Sequence, residues 1–526
     1  NENTPMMKNI FTILMIMLIS APGASAQEIT PRPNQYETLA GTVNLPRTIT
    51  ITADNEFSKL IPDFVETAQK FSFHTRVKKN NGFIRLTKNE ELGNPEEYRI
   101  RIDSTGILIE AGSANGFFHG LQSALQLMIS AGKGGSIPLA VIQDKPRFGW
   151  RGVMVDESRH FIGKTEIMKL LDFMAMYKLN KFHWHLTDSQ GWRIEIKKYP
   201  LLTTVGATGN ISDHEASAQF YTQEDIAEVV KYASDRFIEI IPEIDMPGHA
   251  TAAVKAYPEF SGGGSEKYPH FTFHPGKEGT YTFLTDVLRE ITTLFPSSFI
   301  HIGGDEVHFG NKQWHDMPEV RSLMEKEGLE DLVAVEHYFL QRMADSVKVL
   351  GKTVIGWDEV VTAGLPANNT QVMWWRHDQP QLLEKALTMG YGTILCPRIP
   401  LYFDFVQHAS HTSGRKWDGA FAPIESVYEF PSLRLTGGVS FSSPHVMGIQ
   451  ANVWTEVIHT KERFQFMVFP RIAALAEAAW SNDAVKDFQD FDKRMDKMTA
   501  LYRKSGITFF DYKNPEISLE IKGPGK

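Results

Sequence analysis

The 526-residue sequence has a single cysteine, Cys396, so internal disulfides contribute nothing to its stability. The setting of that cysteine, TILCP in an apolar run, marks an inert core thiol rather than a nucleophile. Basic charge is also scarce. With 54 Lys and Arg against 63 Asp and Glu the formal charge is −9, and no basic run reverses it locally, which excludes a nucleic-acid partner. Membrane-length apolar runs are missing as well: IFTILMIMLI, Ile10 to Ile19, has ten residues, where a spanning helix needs ~20. That run follows Met6-Met7-Lys8 and precedes Ala24-Ser25-Ala26, the pattern of an export signal cleaved after Ala26. No cysteine follows the cleavage point, so no lipid anchor is expected there. An exported chain with a large core and one thiol suits a bacterial periplasmic or secreted address.

What is present changes character partway along the chain. All ten tryptophans lie at or after Trp150, and sixteen of the eighteen histidines lie after His119. The earlier part reads as a small α+β domain over residues 27–146. TITITAD and EYRIRID-STG-ILIEAG alternate as strands, the second as a hairpin turning at Ser104-Thr105-Gly106, and FSKLIPDFVETAQKF and GFFHGLQSALQLM carry the helical period. Eight apolar strand segments follow: GVMVDESRH, KFHWHLTDSQGW, IEIIPEIDMPGH, SFIHIGGDEV, TVIGWDEV, TQVMWWR, GTILCP and VMGIQANVWTE. Most are separated by helical segments, among them TQEDIAEVVKYASDRF with a capping box at Thr222 and Asp225. Continuous apolar strands joined by helices form a parallel sheet, and eight such units close into a (β/α)8 TIM barrel over residues 147–505. The fifth unit, VTAGLPANN, is too short for a full helix. Residues 407–446 read as an active-site loop, RFQFMVFPRIAALAEAAW as the last helix, and 506–526 as a C-terminal tail.

Catalytic residues of this fold sit at the C-terminal ends of its strands. That rule selects Asp156, Arg159, Asp188, Asp245, His249, Asp305, Glu306, Trp357, Asp358, Trp375, Tyr402, Asp404, Trp454 and Glu456. Carboxylates, an arginine and several tryptophans around one mouth describe a sugar site, with rings stacking on the pyranose and charges binding its hydroxyls. Asp305 and Glu306 pose a problem, because an extended backbone points neighbours to opposite faces. Most glycosidases place two carboxylates across the scissile bond, roughly 5 to 5.5 Å apart for retention and 6.5 to 9.5 Å for inversion. His183 and His185 share one face of a strand, but no third ligand stands at zinc-site spacing, so a packed role is expected for them.

The motifs DESRHF, HWHLTDSQGWR, PEIDMPGHA, HIGGDE, GWDE, the Tyr-x-Asp of LYFDF and the Trp-x-Glu of VWTE occur in order at strand ends. On these the chain resembles the β-N-acetylhexosaminidases, family 20 of the glycoside hydrolases, from about Thr48 to Trp480. The resemblance implies exo-acting, retaining removal of terminal β-linked GlcNAc or GalNAc from a glycan, without cofactor or metal. It also implies an answer to the adjacent acids: the substrate's 2-acetamido oxygen is the nucleophile and forms an oxazolinium ion. Asp305 would then hold the acetamido N–H, while Glu306 protonates the leaving oxygen and later activates water. By the same resemblance Arg159 binds O3 and O4, Asp404 and Glu456 bind O4 or O6, and Tyr402 aligns the acetamido oxygen. Trp357, Trp375 and Trp454 cage the methyl group and ring, with Trp374 a rival to Trp375, and Asp188 with His249 orients Glu306. Asp245 and Asp358 are expected to be structural. Two other readings use the same residues: a double-displacement glycosidase with Asp404 or Glu456 as nucleophile, and a non-catalytic glycan-binding barrel. The GlcNAc or GalNAc preference, the linkage, 6-sulfate tolerance and the oligomeric state are left open.

Overall fold

The computed structural model describes residues 28–524 apart from Asp418, so the expected export signal lies outside the described residues. The first part is a seven-stranded sheet. Its strands are β1 (Gln35–Asn44), β2 (Thr48–Ala53), β3 (His74–Val77), β4 (Ile84–Lys88), β5 (Tyr98–Asp103), β6 (Gly106–Ala111) and β7 (Ser136–Asp144), in the order β1-β7-β5-β6-β4-β2-β3. The β5–β6 hairpin turns where the sequence predicts, with Thr105 donating its backbone N–H to Asp103 Oδ1 at 2.8 Å. Sequence periodicity misses β1, β3, β4 and β7. The first two are edge strands and mostly exposed, and β7 carries Pro138, so none of these three shows a clean alternation.

Two helices pack on this sheet. The first predicted helix opens as a 3-10 turn, Asn55–Leu60, and continues as α1 (Ile61–Lys70) with Pro62 in its first turn. The second, α2 (Ala114–Ala131), is capped by Ser113 Oγ, which accepts from the N–H groups of Asn115 and Gly116. It is buried without a break from Gly116 to Met128, because it lies between the sheet and the barrel. Glycines allow that approach: a Cβ at Gly116 would stand 2.3 Å from the Glu97 carbonyl oxygen.

All eight predicted barrel strands form. They are β8 (Trp150–Asp156), β9 (Lys181–His185), β12 (Glu239–Met246), β13 (Phe299–Gly303), β14 (Thr353–Trp357), β15 (Thr370–Trp374), β16 (Gly392–Leu395) and β17 (Val446–Val453), closed in a parallel ring from β17 to β8. A small hairpin of β10 (Thr187–Asp188) and β11 (Gly191–Trp192) decorates the mouth. The Thr222–Asp225 capping box is present, and the fifth unit holds only 3-10 turns.

The helix expected to be the last is followed by a further one, Phe488–Lys504, and is itself split into Lys461–Val468 and Arg471–Trp480 at Pro470, which has no N–H to continue the ladder. The Met467 carbonyl there accepts from the Arg471 guanidinium, and that of Phe469 from the Phe510 N–H at 3.1 Å. Within the C-terminal tail, Ile507 and Phe510 are buried, and Glu520 accepts from the Thr412 and Ser413 N–H groups in the long loop. Among the described residues, no helix is long and apolar enough to cross a membrane.

Candidate active site

The site begins with a backbone feature. Strand β13 ends at Gly303, so Asp305 and Glu306 are not neighbours on an extended strand. Gly303 and Gly304 have φ of 70° and 92°, and Glu306 itself has φ of 53°. This left-handed turn brings both carboxylates into one cavity, and a non-glycine residue there carries strain of order 1–3 kcal/mol. Gly303 is required: a Cβ would fall 1.7 Å from Asp245 Oδ1. His249, with φ of 54°, is held in a similar conformation after β12.

The cavity has a volume of about 160 Å³. It is lined by every predicted site residue except Asp188 and Asp404, which stand behind it. Trp357, Trp375, Tyr402 and Trp454 form an aromatic wall: Trp357 and Trp454 lie 5.8 Å apart, Tyr402 and Trp454 6.0 Å, and Trp375 stacks parallel to Tyr402 at 6.4 Å. The choice between neighbouring tryptophans is resolved. Trp374 packs in the outer core and donates to the Gln379 carbonyl, whereas Trp375 faces the cavity and donates its indole N–H to Glu359 Oε2 at 3.0 Å. Larger cavities, about 310 Å³ beside α1 and about 350 Å³ between the loops after β9 and β12, have neither adjacent carboxylates nor a tryptophan in their lining.

Charge is arranged in two groups. On one side Asp188 bridges Arg159 and His249: its Oδ2 is 2.8 Å from Arg159 Nη2 and its Oδ1 is 3.0 Å from His249 Nδ1. His249 Nε2 then stands 3.6 Å from both Asp305 Oδ2 and Glu306 Oε2. Burial alone would lower His249, but the charges of Asp188, Asp305 and Asp245 outweigh it and hold the imidazole well above its usual range. Burial raises the Asp305 carboxyl to about 6, against the pull of His249 and with repulsion from Glu306 adding to it. For Glu306 burial, which would raise it, is overcome by the neighbouring His249 and by Arg159, which lower it. The two acids form one interacting pair, and in the free site the proton favours Asp305.

On the other side stands a residue that the sequence reading missed. Arg415, from the long loop, reaches Asp404 Oδ2 at 2.5 Å and Glu456 Oε1 at 2.6 Å. Burial raises the Asp404 carboxyl to about 7, with Arg415 opposing and Glu456 adding to the shift. Arg398, also missed, lies over Trp417 at 4.4 Å. Arg415 has no local signature, since it matters only once the loop folds back over the mouth, whereas Arg398 follows β16 at a strand end and also lies over the Trp375 ring. Asp358 is buried and accepts from the Trp375 and Arg376 N–H groups at 3.1 Å, whereas Asp245 is buried with its Oδ1 unpartnered among the described residues. Cys396 is buried and its thiol pushed well up by that burial.

His183 and His185 do gain companions, from strands that no local spacing could reveal. Glu243 lies against both inside the barrel, and His301 stacks on His183.

Residues 148–483 match glycosyl hydrolase family 20, catalytic domain, and residues 26–145 match domain 2 of the same family. The chain is 39% identical over 429 residues to a beta-hexosaminidase of Porphyromonas gingivalis, covering 79% of this chain and 54% of that protein, about half its length. It is 34% identical to a beta-hexosaminidase of Vibrio furnissii, with 87% of this chain and 77% of that protein covered. A GH20 exo beta-N-acetylglucosaminidase of Vibrio harveyi, solved with N-acetylglucosamine, superimposes with a TM-score of 0.85 at 32% identity over 93% of this chain and 79% of its own. The beta-N-acetylhexosaminidase of Bacteroides fragilis gives 0.82 at 33% identity over 92% and 97%. The chain belongs to glycosyl hydrolase family 20.

Proposed function

We propose that the protein is an exo-acting, retaining β-N-acetylhexosaminidase in which the substrate supplies the nucleophile. The observation that carries this reading is the left-handed turn at Glu306, which aims two adjacent carboxylates into one small cavity closed by an aromatic wall. The acetamido oxygen attacks C1 as the glycosidic bond breaks, and Glu306 passes its proton to the leaving oxygen. Asp305 accepts the acetamido N–H and offsets the charge of the oxazolinium. Glu306 then takes a proton from water attacking C1, the ring opens back to the acetamide, and two inversions give retention. Arrival of an N–H at Asp305 favours its ionised form, so the shared proton moves to Glu306 as substrate binds. Asp188 and His249 orient Glu306, Tyr402 aligns the acetamido oxygen, and Trp357, Trp375 and Trp454 enclose the methyl group and ring.

Sugar hydroxyls find partners at Arg159, Asp404 and Glu456. Buried Arg159 Nε, Asp404 Oδ1 and Glu456 Oε2 have no hydrogen-bond partner among the described residues, which supports their being offered to a ligand. The name of the Vibrio harveyi relative supports exo action on terminal GlcNAc. Aryl β-glycosides that differ only at C2 test the reading: the 2-acetamido sugar is expected to be cleaved and the 2-hydroxy sugar left intact. Cleavage of both would hand the reaction to a protein nucleophile, and cleavage of neither would leave a glycan-binding barrel. Export belongs to the same reading, supported by the Met6 to Ala26 pattern. N-terminal sequencing of protein recovered outside the cytoplasm is expected to begin at Gln27.

A further inference from the structure

One layer below the aromatic wall lies a carboxylate that the chemistry above does not use. Glu243, on β12, is fully buried. Its Oε2 accepts from His185 Nδ1 at 2.6 Å and lies 2.8 Å from His183 Nε2. Its Oε1 accepts the Trp357 indole N–H at 3.0 Å and lies 3.0 Å from His301 Nδ1. Both oxygens are engaged, so the cluster works as a hub of hydrogen bonds. Barrels of this kind are usually filled with branched apolar side chains, and a buried ion set is a poor source of stability beside them.

Two arms leave the hub toward the cavity. Along the first, His185 Nε2 bonds Asp188 Oδ2 at 3.0 Å, and Asp188 passes on to His249 and so to Glu306. An imidazole whose two nitrogens both face carboxylates donates from both and is therefore the cation. Burial opposes that charge on His185, but Glu243 and Asp188 outweigh it. Charges then alternate in sign from Glu243 through His185, Asp188 and His249 to the catalytic pair. The second arm is Trp357, whose ring is part of the cavity wall.

We infer that Glu243 is a positioning residue that couples the acid side of the site, through His185, to the acetamido side, through Trp357. This rests on the function proposed above. Outer partners of a reactive site commonly change activity about 10- to 100-fold when altered. Glu243→Gln keeps the shape and removes the charge, so its effect is to be read on two ratios of kcat/KM. One compares a good with a poor phenol leaving group, and the other compares N-acetyl with N-propionyl substrates. In Glu243→Gln the poor leaving group is expected to lose about tenfold more than the good one, and the preference for N-acetyl is expected to relax. His185→Gln is expected to move only the first ratio, and Trp357→Phe only the second.

A uniform loss on all substrates in Glu243→Gln, tracking a fall in Tm, would overturn the inference and leave a structural role. Should that variant not fold, the other two carry the test: each moving its own ratio supports the coupling, and both ratios moving together, or neither moving, overturns it. Absence of wild-type hydrolysis of the N-acetyl substrates would instead overturn the functional reading beneath it.

Discussion

Two of the places where this molecule buries carboxylates treat them differently. At the seam between the seven-stranded sheet and the barrel, Asp144 Oδ1 accepts from Asn34 N and Nδ2, and its Oδ2 accepts from Tyr98 Oη at 2.7 Å and Trp480 Nε1 at 2.9 Å. Nearby, Glu96 is matched by Arg151 through both oxygens. At the barrel mouth, Asp305 Oδ1, Asp404 Oδ1 and Glu456 Oε2 are buried with no hydrogen bond among the described residues. Complete pairing holds a structure together, whereas incomplete pairing stores binding capacity for a ligand that brings its own donors.

The sharpest way to break this contrast is at Glu306. Glu306→Gln is expected to lower kcat/KM about 10²- to 10⁴-fold on a poor leaving group and far less on dinitrophenol, with no loss of thermal stability. Equal losses on both would remove it as the acid. At the seam the opposite signature is expected. Asp144→Asn leaves Lys178 buried beside an uncharged partner, 3.5 Å away in the native pair, and should cost about 3–5 kcal/mol of stability. In denaturant this reads as a lower midpoint at unchanged slope, with kcat/KM of the folded enzyme near normal.

Asp305→Asn is expected to lose about 2–4 kcal/mol of transition-state stabilisation. The wild-type kcat/KM should fall as pH climbs through about 6, because the pair then loses the proton that it hands to Glu306, and that limb should shift in the variant. Stability runs the same way. With its carboxyl raised from 3.8 to about 6, the fold loses stability as pH climbs through about 6, so Asp305→Asn should melt higher than wild type at pH 7. The smallest effect is expected at Arg415, whose side chain is 37% exposed. Arg415→Ala should weaken binding by about 1 kcal/mol, read as a higher KM with little change in kcat.

The same contrast explains what the sequence made legible. Barrel strands are buried on both faces, so GVMVD or TVIGW stands out as an apolar run, and the motifs at their ends carry the cavity. Strands β1 and β3, at the sheet edges, have no such face to display. Arg415 was illegible because only the folded loop brings it to Asp404 and Glu456. Glu243 went unread although a signal was there: a charge in IIPEIDM, one histidine in FIHIG and two in KFHWH, each inside an otherwise apolar strand, mark a buried polar hub whose partners come from distant strands. The turn at Gly303–Glu306 was also beyond periodicity, since it depends on positive φ at Gly303, Gly304 and Glu306 rather than on composition.

The central claim is that the acetamido group of the substrate attacks C1. Calorimetric titration with a thiazoline analogue of the bicyclic intermediate, beside free N-acetylglucosamine, tests it most directly. The thiazoline is expected to bind at least about 10²-fold more tightly, because it resembles the state that the aromatic wall and Asp305 favour. Equal affinities, together with a glycosyl ester trapped on Asp404 or Glu456 by a 2-fluoro sugar, would contradict it.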